Sequence, residues 1–329
     1  MKTLQFLIMM LLLCRSGADL KGEQHVALYR KTVVRFAPLQ EAKSLLSARD
    51  RFLSTLSRFD LQSRLRTNKE VTSRDLSEFA AQQVLPWEAD EIEKLTAISI
   101  AVAGMLADYE LPFPGEVLLI KTTGKEEGGA AYCRQNAVIL PQSYVDFQPE
   151  RIESTLIHEL FHILSSANPR WRHSLYEMVG FRPCPTIQLP ASLRDRKITN
   201  PDAPALDVYI ELDDDGRRRL AVPVLYSSVE NYDPQQGGSF FNYLVFRLLV
   251  LQREADSWQP AEADGQPVLL EAANQASYHR QIGRNTKTII HPEEILAENF
   301  SHLVRGTERL PTPELIERLK THLQAPRTP

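Results

Sequence analysis

The stretch Thr155–Leu164 reads Thr-Leu-Ile-His-Glu-Leu-Phe-His-Ile-Leu, and it decides both the fold and the chemistry that we expect. Residues four apart lie on one face of an α-helix, so His158 and His162 can direct two imidazole nitrogens at one metal ion. Glu159 lies beside that face, where its carboxylate can act as general base toward a water molecule at the metal. The other residues of the stretch are uncharged, which predicts a buried helix.

Burial of this helix strengthens the metal hypothesis. Two histidines and a glutamate that are buried without partners destabilise the folded state, and a bound metal ion gives them partners. We expect the helix to begin near Pro149, because proline is favoured in the first helical turn, and to end near Ser165. The alternative is a buried helix whose histidines are hydrogen-bonded core residues.

The sequence also offers a third metal ligand, far along the chain. Residues 291–300 read His-Pro-Glu-Glu-Ile-Leu-Ala-Glu-Asn-Phe, and the proline and acids at their start are typical of a helix N-terminus. Glu294 and Glu298 share one face of this helix. The alternatives are His173 as the third ligand, or an amphipathic helix on which both acids are simply solvated.

These two segments carry a resemblance to a known family. Thr155–Leu164 resembles the extended metal-binding motif of the zincin metallopeptidases, and Glu294 with Glu298 is similar to the second motif of their glutamate-zincin group. The resemblance implies that Glu294 binds zinc together with the two histidines. It also implies that Glu298 accepts the free N–H of one ligand histidine. Because Glu298 stands where that group has an aspartate, Glu298 is itself an alternative ligand.

The same resemblance has consequences for the fold. It implies a sheet whose edge strand lies just upstream of the helix and aligns an extended peptide above the metal. The strands available for this role are Ala130–Cys133 and Ala137–Leu140.

We predict an α+β fold. A zincin-like catalytic domain, with a small mixed sheet and an active-site helix, covers residues 112–329, and a helical region over 19–111 precedes it. Residues 166–288, approximately, are a long insertion within the catalytic domain. Inside this insertion, Asp213–Gly216 predicts the turn of a β-hairpin.

The N-terminus predicts export. Lys2, the apolar stretch Leu4–Leu13 and the small residues Ser16–Ala18 have the order of a secretory signal peptide over residues 1–18. The protein would then be periplasmic or extracellular. Lipoprotein anchoring at Cys14 is an alternative, although the bulky Leu13 precedes that cysteine where a small residue is expected.

Charge and cysteine content limit the partners. A formal net charge of -4 gives no basic surplus for binding nucleic acid. No apolar stretch after the signal approaches the length of a membrane span. In an oxidising compartment Cys133 and Cys184 can form a disulfide, and the alternative is two separate buried thiols.

Together these features predict an exported zinc-dependent metallohydrolase. We expect one zinc ion, a peptide or protein substrate, and hydrolysis by a zinc-activated water molecule with Glu159 as general base. Tyr278, His279 and Arg284 are candidate stabilisers of the oxyanion. The alternatives are a zinc-bearing structural or binding protein of the same fold without turnover, and an amidase that acts on non-peptide substrates.

Overall fold

A computed structural model describes residues 25–254 and 257–325. The fold is α+β, as predicted, and two six-stranded sheets dominate the described residues. The predicted signal peptide and Cys14 lie outside these residues. Within them, no helix has both the length and the apolar character that crossing a bilayer requires.

The helices and strands alternate irregularly along the chain. The helices are α1 (Leu39–Ser47), α2 (Arg51–Thr55), α3 (Arg58–Leu65), α4 (Ser73–Gln82), α5 (Ala89–Leu106), α6 (Gln142–Val145), α7 (Pro149–Ala167), α8 (Pro169–Met178), α9 (Ala191–Arg194), α10 (Ala276–Ile282), α11 (Pro292–Val304) and α12 (Pro313–Gln324). The strands are β1 (His25–Tyr29), β2 (Thr32–Phe36), β3 (Val84–Leu85), β4 (Glu116–Thr122), β5 (Tyr132–Arg134), β6 (Ala137–Pro141), β7 (Phe181–Pro183), β8 (Val208–Asp214), β9 (Arg217–Ser227), β10 (Leu244–Glu254), β11 (Ser257–Pro260), β12 (Glu262–Ala263), β13 (Gln266–Pro267) and β14 (Leu269–Leu270).

The first sheet has the strand order β1-β2-β4-β6-β5, and β3 pairs with the far end of β4. Strands β2, β4 and β6 are parallel, whereas β5 runs antiparallel to β6 at the edge. Strand β4 reads as a continuous apolar run because side chains alternate between two covered faces. Val117 and Leu119 face the main core with α5 and α7, and Leu118 and Ile120 face a second cluster with α1 and α4.

The N-terminal region is not purely helical, so that prediction needs correction. Strands β1 and β2 form a hairpin, and β2 pairs in parallel with β4 of the predicted catalytic domain. Each strand is only five residues long, too short for a helical period to be distinguished from an alternating one. The N-terminal residues therefore complete the sheet that carries the site.

The predicted insertion contains the second sheet, which is antiparallel and has the order β11-β10-β9-β8-β7, with β14 paired to β10. The predicted hairpin is confirmed as β8 and β9. Asp215 and Gly216 have positive φ angles of 51° and 79° at its turn, which two-residue hairpin loops require. Side chains of β8 pack into the same main core as α7, so the insertion is an integral part of the molecule.

Helix α7, which carries the first motif, packs against α11, which carries the second. Both helices contribute fully buried apolar residues to the main core, and the Phe161 and Phe300 rings lie 5.6 Å apart. The predicted bounds of α7 are confirmed to within two residues, and α11 begins at the proline that marked its predicted start. This packing brings together two segments that are far apart in the sequence.

The two cysteines of the described residues are both free, so the structure supports the alternative of two separate thiols and not the disulfide that the sequence allowed. Cys133 lies on β5 and directs its thiol at Glu159 on α7. Cys184 follows β7 and packs in a separate apolar cluster beneath the second sheet. The two side chains belong to different cores and do not meet.

Candidate metal centre

His158, His162 and Glu294 converge on one point. The candidate ligand atoms of the three residues all lie within 4.8 Å of one another. His158 Nε2 is 3.3 Å from Glu294 Oε2, and His162 Nε2 is 3.8 Å from Glu294 Oε1. Ligands about 2.0–2.1 Å from a tetrahedral zinc ion are separated by about 3.3–3.4 Å. The spacing therefore fits zinc with little adjustment of the side chains.

A carboxylate faces the second nitrogen of each imidazole. His162 Nδ1 lies 2.9 Å from Glu293 Oε1, and His158 Nδ1 lies 3.6 Å from Glu298 Oε1. Such carboxylates fix the orientation of a ligand imidazole and leave Nε2 free for the metal. Glu298 thus lies behind His158, one of the two histidines with which the resemblance could pair it. Glu294 is the acid at the centre of the cluster.

Glu293 is a site residue that sequence reasoning missed. Its side chain is 2% exposed, and it accepts hydrogen bonds from Ser165 Oγ (2.7 Å) and from the Tyr176 hydroxyl. These contacts hold its carboxylate in place behind His162. A signal was present in the sequence, because two adjacent acids open a helix that is otherwise apolar. Spacing could not show that both acids point inward.

Glu159 is buried beside the cluster. The Cys133 thiol donates to Glu159 Oε2 at 3.2 Å, which orients the carboxylate from the edge strand β5. Burial raises the pKa of Glu159 above its ordinary value, and the positive charges of His162 and His158 oppose that shift. A general base needs a raised pKa together with a fixed position, and Glu159 has both.

A segment of the insertion crosses the site between β5 and α11. We call residues 198–202, Ile-Thr-Asn-Pro-Asp, the strap. Asn200 Nδ2 donates to Glu294 Oε1 at 2.7 Å. Asp202 Oδ1 accepts a hydrogen bond from the backbone N–H of Cys133 at 2.9 Å. No motif in the sequence indicated the strap, because its contacts exist only after the insertion folds back over the site.

The strap is fixed by a buried charge network. The backbone N–H and the hydroxyl of Thr199 both donate to Asp60, and Arg64 donates to the Thr199 carbonyl. Arg64 also pairs with Asp60 and Glu127, and the exposure of all three side chains is 4% or less. Removing one partner of such a buried pair destabilises a protein by about 3–5 kcal/mol. The network therefore makes the strap a fixed wall of the site.

Carboxylates dominate the electrostatics of the centre. Burial would lower the pKa of His162, but the negative charges of Asp202, Glu294 and Glu293 outweigh burial and raise it well above its usual value. Burial would raise the pKa of Glu294, but His162 and His158 outweigh burial and hold it below its ordinary value. The charges around this cluster therefore favour a cation over an anion.

A small cavity opens onto these groups. Its volume is about 190 Å³, and its polar wall includes His158, Glu159, Glu294 and Asp202. The apolar part of the lining is built by Ile198, Leu225, Phe240, Phe241, Leu244 and Ile290. Ala130, Ala131 and Tyr132, at the edge of the first sheet, also line the cavity. A ligand in this cavity would touch the candidate metal centre, the sheet edge and an apolar surface together.

The candidate oxyanion stabilisers do not line this cavity. The Tyr278 hydroxyl donates to the Ile289 carbonyl at 2.6 Å in the core, so it is occupied elsewhere. His279 and Arg284 line a different cavity, near the loop before α11. His173 lies on α8 and is absent from the metal cluster of the described residues. None of these four residues belongs to the cavity lining or to the metal cluster of the described residues.

His291 caps α11 just before the acidic pair. Its Nδ1 accepts a hydrogen bond from the Glu293 N–H at 3.1 Å, and its Nε2 is buried without a partner among the described residues. Burial lowers the pKa of His291 from 6.5 to about 4. A depressed histidine pKa means that the unfolded chain binds the proton more tightly than the folded protein does.

This difference predicts a pH dependence of stability. The contribution of neutral His291 is fully present above about pH 6.5 and is lost as the pH falls toward 4, a change of about 3 kcal/mol. Asparagine keeps a hydrogen-bond acceptor at the cap and does not titrate. When the pH falls from 7 to 4, we therefore expect the free energy of unfolding of His291→Asn to decrease by about 3 kcal/mol less than that of the wild type. Urea unfolding of both metal-free proteins at each pH measures this difference, and parallel pH curves would contradict the prediction.

Comparison with protein-family models, with curated proteins and with solved structures finds no match to this chain.

Proposed function

We propose that this protein is a zinc-dependent peptidase of zincin type. The observation that supports this most directly is the convergence of His158, His162 and Glu294, with a buried glutamate next to the first ligand. A purely structural zinc site has no use for Glu159, because four ligands complete such a site and no general base is required. Glu159 therefore favours an enzyme over a binding protein.

Zinc, when bound, would polarise the substrate carbonyl and lower the pKa of water at the site. His158, His162 and Glu294 would hold the ion, with Glu293 and Glu298 orienting the two imidazoles. Glu159 would take the proton from the attacking water and pass it to the leaving amine. Cys133 would keep the Glu159 carboxylate turned toward the cavity.

The surroundings of the centre suit a peptide. Ala130 and Ala131, which precede β5 at the edge of the first sheet, border the cavity, and an extended chain can form backbone hydrogen bonds with such an edge. The apolar wall that includes Phe240 and Leu225 would receive a hydrophobic side chain. Non-peptide amides lack the extended backbone that uses both surfaces. We also propose that residues 1–18 direct export, so the substrates would be periplasmic or extracellular.

Removal of the metal tests this proposal. The purified full chain should contain one zinc ion and should hydrolyse peptides in a mixed library, and a chelator should abolish hydrolysis while the fold is retained. Mass spectrometry of the products and circular dichroism measure the two effects, and added zinc should restore activity. A chain that unfolds on chelation and shows no hydrolysis before it would instead have a structural zinc site.

A further inference from the structure

Asp202 is the feature of the site that the proposed mechanism does not use. Its carboxylate lies with Cys133 and Glu159 in a second cluster, whose candidate ligand atoms are within 4.8 Å of one another. It also lines the 190 Å³ cavity beside His158 and Glu294. Among the described residues, the imidazoles of His158 and His162 contact the carboxylates of Glu293, Glu294 and Glu298. Asp202 forms no ion pair with any of these residues.

Asp202 also limits how far a peptide can extend along the sheet edge. The N–H of Cys133 points away from β6 and is already bound by Asp202 Oδ1. A peptide that continued past this point as an added strand would have to displace the strap. Because Thr199 is held by the buried Asp60 and Arg64, that displacement is unfavourable.

The strap therefore ends the cleft. On its far side lies a separate cavity of about 500 Å³, which shares His162, Pro201 and Asp202 with the first. One terminus of the substrate must lie against the strap. Burial raises the pKa of the Asp202 carboxyl well above its ordinary value, and a bound ammonium group opposes this shift by stabilising the charged form. The strap therefore selects the terminus, because a peptide's carboxyl end would meet Asp202 and Glu159, whereas its protonated amino end pairs with the Asp202 carboxylate.

From this arrangement we infer that Asp202 binds the free α-amino group of the substrate, so that the enzyme removes the first residue of a peptide. The inference rests on the proposed peptidase function. The amino nitrogen and carbonyl carbon of one residue are separated by two bonds of about 1.5 Å each. With Asp202 and Glu159 within 4.8 Å, an amine bound by Asp202 places the first peptide bond beside Glu159.

The reaction is an ordinary hydrolysis. The oxygen of water forms a bond to the carbonyl carbon of the first residue as its proton passes to Glu159. The carbon–nitrogen bond then breaks, and the proton is transferred to the amine of the shortened peptide. Asp202 takes no part in the proton transfer and acts on binding alone.

The test compares one short peptide with leucine first in two forms, with a free and with an acetylated amino terminus. We expect the zinc-loaded wild type to release free leucine, with kcat/KM about ten- to a hundredfold higher for the free-amine form. Asp202→Asn should lower kcat/KM for that form by a similar factor, mainly through KM, and leave the acetylated form unchanged. The exposed Asp108, which lines neither cavity, supplies the matched control Asp108→Asn.

The other outcomes contradict either the role of Asp202 or the peptidase proposal. Equal cleavage of both forms by the wild type, or cleavage at internal bonds, overturns the role of Asp202 and leaves the peptidase proposal intact. This comparison needs no variant, so it holds even if Asp202→Asn fails to fold. If the wild type cleaves neither form, nor any peptide of the mixed library, the peptidase function itself fails.

Discussion

Glu159→Gln should lower kcat for peptide hydrolysis by about 10²- to 10⁴-fold while zinc content and affinity stay near those of the wild type. Glutamine keeps the shape of the side chain and can still contact the Cys133 thiol, but it cannot accept a proton from water. The substitution leaves His158, His162 and Glu294 in place. The loss should therefore appear in the chemical step and not in metal binding.

Helix α7 supplies the matched control for this experiment. Glu150 is exposed in the first turn of the same helix, so Glu150→Gln makes the same chemical change away from the site. Zinc content by atomic absorption and steady-state kinetics should be measured on all three proteins. A Glu159→Gln enzyme with nearly full activity would refute the proposed role of this residue.

The second large effect concerns the metal. We expect Glu294→Gln to lower zinc affinity by more than a hundredfold, because it removes the only carboxylate at the centre of the ligand cluster of the described residues. Removing a carboxylate behind a ligand imidazole typically lowers affinity by about 10- to 100-fold. Glu293→Gln and Glu298→Gln should fall in that range.

These two variants should also differ from each other. Glu293 lies 2.9 Å from its histidine and is buried, whereas Glu298 lies 3.6 Å from its histidine and is 36% exposed. Glu293→Gln should therefore weaken zinc binding more than Glu298→Gln. Competition with a chromophoric chelator measures all three affinities. If Glu298→Gln lowers zinc affinity more than the other two substitutions, Glu298 is the third ligand in place of Glu294. That is the alternative that the sequence left open.

The helices that carry the site were predictable because their signals are local. The apolar flanks of His158 and His162 mark a buried helix, and Pro292 with its acidic neighbours marks the start of another. The hairpin at Asp215–Gly216 was equally local, since its turn demands residues that tolerate positive φ. Each of these inferences needed only a short window of sequence.

Predictions that depended on distant packing succeeded less often. The strands β1 and β2 looked like part of a helical region because both are short and because β4, the partner that joins β2 to the sheet, is distant in the sequence. Tyr278 was a reasonable candidate by residue type, but its hydroxyl is used in the core by the Ile289 carbonyl. Cys133 and Cys184 were a plausible pair until the fold placed them in separate clusters.

The sequence by itself determined the motif at His158–His162 and the helix that presents it, because helical periodicity puts residues four apart on one face. Glu294 as third ligand came from the resemblance to the zincins, which left Glu298 as an alternative. Only the tertiary structure decided which acid faces which nitrogen: Glu294 at the centre, Glu293 behind His162 and Glu298 behind His158. It alone also revealed the strap with Asp202. The physical reason is that these contacts join segments whose separation along the chain carries no periodic signal, so packing of the core had to bring them together.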